Sequence, residues 1–148
     1  MNTENKIVTA GIVDDDDIFT YGFKKSAAIK HLFNKVLHFG DGREAIEYLK
    51  DPHNINHLPD ILFLDINMPV MNGWEFIDAF EEIKSQLGKN IPIYIISSSI
   101  DLEDIKRAKN NMLIVDYLLK PIDKLYLKNI YDSLQDQLIQ ESQTYFRY

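Results

Sequence analysis

The sequence predicts an α/β domain built on a doubly wound parallel sheet, and three features carry that expectation. Short apolar runs at residues 7–13, 36–39, 61–64, 91–96 and 114–119 are rich in β-branched residues and too short for stable helices. Each run is followed by a stretch whose apolar residues recur at helical spacing. The third run, Ile61-Leu62-Phe63-Leu64, shows no polar alternation, as expected of a strand covered by helices on both faces. Strand and helix alternating in this way, with right-handed crossovers, give an open sheet sandwiched between two helical layers.

The first strand, residues 7–13, ends in four acids, Asp14-Asp15-Asp16-Asp17. Asp16 or Asp17 suits the N-cap of the helix that follows. Asp14 and Asp15, at the end of a buried strand, need a compensating charge, and a hard divalent cation such as Mg²⁺ suits carboxylate oxygens. The first helix, residues 18–30, carries Phe19, Phe23 and Ala27 on one stripe, with Gly22 in its interior as a possible point of close packing on the sheet.

A second strand at 36–39 leads through Gly40-Asp41-Gly42 into a helix over 43–50 with Ala45, Ile46 and Leu49 inward. Asp51-Pro52 ends it, and residues 53–59 read as a polar loop whose His53 and His57 share no face that would make them metal ligands.

The central strand runs into Asp65 and is stopped by Met68-Pro69, since proline lacks the N–H a ladder needs. Asp65 thus falls at the C-terminal end of a central strand, where open α/β sheets bind ligands. A third helix over 74–87 places Trp74, Ile77, Phe80 and Ile83 inward, and Gly88 closes it. The fourth strand, 91–96, runs into Ser97-Ser98-Ser99; a helix over 101–110 follows, with an acidic first turn. The fifth strand, 114–119, ends in Lys120-Pro121. A last helix over 123–140 shows Leu125, Ile130, Leu134 and Leu138, and 142–148 reads as a short tail. The chain, 1–148, is expected to form one domain with the flavodoxin-like strand order 2-1-3-4-5.

Bulk properties narrow the function. A net charge of −7 without a basic cluster argues against direct nucleic-acid binding. The absence of cysteine excludes disulfides, thiol catalysis and thiolate metal sites. No signal-peptide pattern opens the chain and no apolar segment is long enough to span a bilayer, so a cytoplasmic location without membrane insertion is expected.

In the expected fold Asp14, Asp15, Asp65, Ser97 and Lys120 all arrive at one edge of the sheet. Acids that hold Mg²⁺ and leave Asp65 as nucleophile, a lysine to share charge, and a hydroxyl donor suit phosphoryl transfer to a carboxylate. Val13-Asp14-Asp15, Asp65-Ile66-Asn67-Met68-Pro69 with Gly73, Ser97 and Lys120-Pro121 together resemble the receiver domain of two-component response regulators, including the chemotaxis response regulator, over nearly the whole chain.

The resemblance implies that Asp65 accepts phosphate from a phosphohistidine on a sensor histidine kinase or histidine phosphotransfer protein. It implies Mg²⁺ bound directly by Asp15 and Asp65 and by the Asn67 backbone carbonyl, with Asp14 acting mainly through water, phosphoryl contact by Lys120, and a cis Lys120-Pro121 bond. Ser97 and Tyr117 match the family's switch pair, and Asn67 and Ser99 match positions that tune phosphoryl lifetime. A target protein would then dock on the face of helix four, strand five and helix five. Such a chain is a signalling switch that catalyses only its own phosphorylation and dephosphorylation, and is expected to stand alone without an output domain. Two other readings compete with this one: a Mg²⁺-dependent phosphohydrolase, opposed by Asn67 where a general acid is needed, and an interaction module that has lost phosphorylation, opposed by retention of the whole set.

Overall fold

Five parallel strands form one sheet in the order 2-1-3-4-5 in the computed structural model, which describes residue 6 and residues 8–145. They are β1 (Thr9–Val13), β2 (Lys35–Phe39), β3 (Ile61–Asp65), β4 (Ile93–Ser97) and β5 (Ile114–Leu119). The helices between and after them are α1 (Asp17–Ile29), α2 (Gly42–Lys50), α3 (Gly73–Ile83), α4 (Leu102–Lys109) and α5 (Lys124–Tyr145). This is the doubly wound, flavodoxin-like arrangement that the alternating pattern predicts. Every residue of β3 is buried, which is why its sequence carries no polar alternation.

Two apolar clusters fill the layers on either side of the sheet. One joins Val13, Leu62, Leu64, Ile93 and Ile95 to α2 and α3. The other joins Ala10, Ile12, Ile61, Phe63 and Ile96 to α1 and α5. Alternate residues of β1, β3 and β4 thus serve opposite faces, as a period of two requires. Within the second cluster an aromatic row runs from Phe63 through Phe23 to Phe19, with ring centroids 5.1 and 6.3 Å apart.

Local chemistry sets the element ends. Asp16 caps α1 by accepting from Phe19 N–H at 3.0 Å, and Asp41 caps α2 through Glu44 N–H at 2.9 Å. Asn72 and Glu75 form a reciprocal capping box at α3. Asp101 caps α4, accepting from both Glu103 and Asp104. On α4, Asp104 accepts from the Trp74 indole at 3.0 Å, while the Arg107 guanidinium lies 4.4 Å from the centroid of that ring.

Several expectations are corrected. β1 begins at Thr9; Ile7 lies outside the described residues. β4 begins at Ile93 because Pro92 has no N–H to give; its carbonyl instead accepts from Leu62. α3 stops at Ile83 and continues as a 3-10 turn over Lys84–Gln86 before Gly88 at φ +72°. Gly22 faces open space, so close packing does not explain it. In α5, Leu125 is exposed and the buried stripe is Leu127, Ile130, Tyr131 and Leu134. The expected tail is helical through Tyr145, since no glycine or proline interrupts 141–145, and residues 146–148 lie outside the described part.

Candidate functional site

Register brings the predicted residues to one edge. Val13 pairs with Leu64, so Asp14 and Asp65 leave adjacent strands at the same level. Asp65 pairs with Ile96, one residue before Ser97, and Ser97 pairs with Leu119, one before Lys120. Lys120 N–H then donates to the Ser97 carbonyl at 2.8 Å, which anchors the start of the loop after β5. The Lys120-Pro121 peptide bond is cis.

The β3–α3 loop is compressed around Asp65. Gly73 N–H donates to the Ile66 carbonyl at 2.8 Å, and a Cβ on Gly73 would fall 2.6 Å from the Asp65 carbonyl oxygen. Only glycine allows the first turn of α3 to lie this close to the backbone of β3. Between them Val70 adopts φ +67° and Met71 N–H reaches back to the Pro69 carbonyl at 2.7 Å, a γ-turn strained for a β-branched residue. Asn67 is exposed in this loop, with its N–H directed at the Asp65 carboxylate.

Charge at the site is out of balance. Carboxylate oxygens of Asp14, Asp15 and Asp65 come within 4.8 Å of one another; Asp14 and Asp65 are buried and Asp15 is exposed. Asp14 Oδ1 accepts from Asp16 N–H at 2.9 Å. Asp14 Oδ2 is fully buried, and its partner is the Lys120 ammonium 2.6 Å away. Lys120 Nζ is 3.9 Å from Asp65 Oδ2 and 4.7 Å from the centroid of the Phe19 ring. Burial pushes the Asp65 carboxyl up to about 7, helped by the charge on Asp14, while Lys120 and the Asn67 N–H pull it down. One ammonium among three carboxylates, two of them buried, fits a site for a hard divalent cation.

Ser97 and Tyr117 meet at a single acceptor. Ser97 Oγ donates to the Ser99 carbonyl at 3.2 Å, and the Tyr117 hydroxyl donates to the same oxygen at 3.0 Å. Ser97 is buried and Tyr117 half-buried. His38, at the end of β2, brings Nε2 to 2.7 Å from the Asp14 carbonyl, a contact for which the sequence offers no signal beyond its place in a strand. His53 and His57 stay away from this edge, in the loop before β3; His53 pairs with Asp51.

The model of the response regulator receiver domain matches residues 11–132. The chain belongs to the response regulator receiver family. An uncharacterized response regulatory protein of Staphylococcus epidermidis is 31% identical over 130 residues, covering 87% of this chain and 47% of that protein. The transcriptional regulatory protein HptR of Staphylococcus aureus is 31% identical over 131 residues, covering 88% of this chain and 47% of its own length. The chain therefore spans about half the length of these curated relatives. Among solved structures, a two-component response regulator from Cytophaga hutchinsonii superposes with a TM-score of 0.79 at 29% identity, covering 88% of this chain and 98% of its own. A receiver protein from Dyadobacter fermentans gives 0.73 at 27% identity, covering 85% and 96%. Receiver domains belong to two-component signalling and interact with histidine kinases or phosphotransfer proteins. Among the described residues of this receiver, no helix is long and apolar enough to cross a membrane.

Proposed function

We propose that this receiver is a phosphoacceptor switch in which Asp65 takes a phosphoryl group from a phosphohistidine on a sensor kinase or a histidine phosphotransfer protein. The observation that carries the reading is the buried Asp65 carboxylate beside Asp14 and within ion-pair range of Lys120. In the transfer an Asp65 oxygen bonds to phosphorus as the phosphorus–nitrogen bond breaks, and the released imidazole nitrogen takes up a proton. Asp14, Asp15, Asp65 and the Asn67 carbonyl would hold Mg²⁺, which when bound would supply charge neutralisation for the transferring group.

Lys120 would exchange Asp14 for a phosphoryl oxygen, and its positive charge would stabilise the charge that develops there. The Ser97 hydroxyl would leave the Ser99 carbonyl to donate to the phosphoryl group, and Tyr117 would follow it inward, as a shift between existing states. Their shared acceptor supports this coupling. The target would be a protein docking on α4, β5 and α5, where Leu102, Val115, Leu119 and Leu125 are exposed. Residues 1–148 would act as one receiver unit in the cytoplasm, catalysing only its own phosphorylation and dephosphorylation.

Incubation with acetyl phosphate and Mg²⁺, read by intact mass, tests the reading. One phosphoryl group should be gained by wild type, none in EDTA and none by Asp65→Asn. An adduct of equal yield in Asp65→Asn would sink the assignment.

A further inference from the structure

We infer that Phe19 is a positioning residue for Lys120, presenting its ring face to the ammonium so that the lysine is held at the acidic site while its N–H groups stay free to change acceptors. Lys120 Nζ lies 4.7 Å from the Phe19 centroid, within cation–π range, and the lysine side chain is 10% exposed. Asp14 at 2.6 Å and Asp65 at 3.9 Å give the ammonium its charged partners. A further carboxylate in place of the ring would bind the lysine tightly and add repulsion to a site that already holds Asp14, Asp15 and Asp65. A neutral ring face attracts the cation while leaving its N–H groups free to change acceptors.

The ring is itself held in place. Phe19 stands in the first turn of α1, and its backbone N–H is tied to the Asp16 cap at 3.0 Å. Its ring lies 6.3 Å from that of Phe23, which is buried against Phe63 at 5.1 Å. The aromatic row thus ends on a charged group, a use of Phe19 that its apolar helical spacing does not reveal.

The geometry can be tested without phosphorylation. Lysines labelled at the ε-carbon should show, by NMR, one set of ε-methylene protons displaced upfield by the ring. That displacement should vanish in Lys120→Arg, which identifies it, and in Phe19→Leu, and persist in Phe19→Tyr. A wild-type spectrum with no displaced set overturns the inference. The consequence for transfer rests on the function proposed above: phosphoryl gain from acetyl phosphate should slow about fivefold or more in Phe19→Leu, in keeping with a largely desolvated cation–π contact. Phe19→Tyr should retain the wild-type rate, and Mg²⁺ affinity measured by calorimetry should be unchanged in both. Equal slowing in the leucine and tyrosine variants, a wild-type rate in the leucine variant, or a parallel loss of Mg²⁺ affinity would overturn it. If wild type gains no phosphoryl group, the function fails while the NMR result still decides the positioning.

Discussion

Asp14 and Lys120 form a buried ion pair, 2.6 Å from Oδ2 to Nζ, at the edge of the sheet. Replacing one member of such a pair strands the other as an uncompensated charge. Lys120→Met should therefore destabilise the metal-free protein by roughly 3 kcal/mol in urea unfolding. Mg²⁺ should restore more stability to this variant than it adds to wild type, because the cation takes over the compensation. Equal Mg²⁺ stabilisation of both proteins would count against the acids as its site.

Asp65→Asn should act in the opposite direction. Asp65 is buried against Asp14, and both the burial and that charge oppose its ionisation. Removing the carboxylate at pH 8 in EDTA should raise unfolding free energy by about 1 to 3 kcal/mol. A variant less stable than wild type under these conditions would show that Lys120 outweighs Asp14 at this position.

Gly73→Ala tests the compression of the β3–α3 loop. The added methyl would meet the Asp65 carbonyl oxygen at 2.6 Å and Ile66 Cα at 2.8 Å, both backbone atoms. Neither can rotate away, so a loss of roughly 1 to 3 kcal/mol is expected in chemical denaturation. An unchanged midpoint would mean that α3 shifts freely relative to β3.

Tyr126 supplies a pH signature away from the acidic cluster. Its hydroxyl donates to Asp116 Oδ2 at 2.5 Å, and that bond, with burial and the Asp116 charge, pushes it up to about 12. The folded state therefore holds this proton after the unfolded chain, near 10, has lost it. Stability from this group is present below pH 10 and falls as pH rises through 12. Absorbance titration of tyrosinate should show a late-ionising residue that disappears in Tyr126→Phe.

Much of this was legible in the sequence, because both the fold and the site are written at strand ends. Asp65, Ser97 and Lys120 each follow an apolar run directly, so locating the runs located the residues. What escaped depends on contacts between elements far apart in sequence. On α5 Leu125 and Leu127 both satisfy a loose helical spacing, and only packing in the cluster on that side of the sheet selects Leu127 for burial and leaves Leu125 exposed. The contact of His38 with the Asp14 carbonyl crosses between strands. The meeting of Ser97 and Tyr117 at Ser99 depends on where the β4–α4 loop turns, and no propensity encodes that.

Trp74 is the chain's sole tryptophan, and its indole is held by two residues of α4, Asp104 and Arg107. The molecule consequently contains its own optical gauge. A sliding of α4 over α3 would exchange an anionic hydrogen-bond acceptor and a stacked cation for other surroundings, and intrinsic fluorescence would register that without a dye or a label.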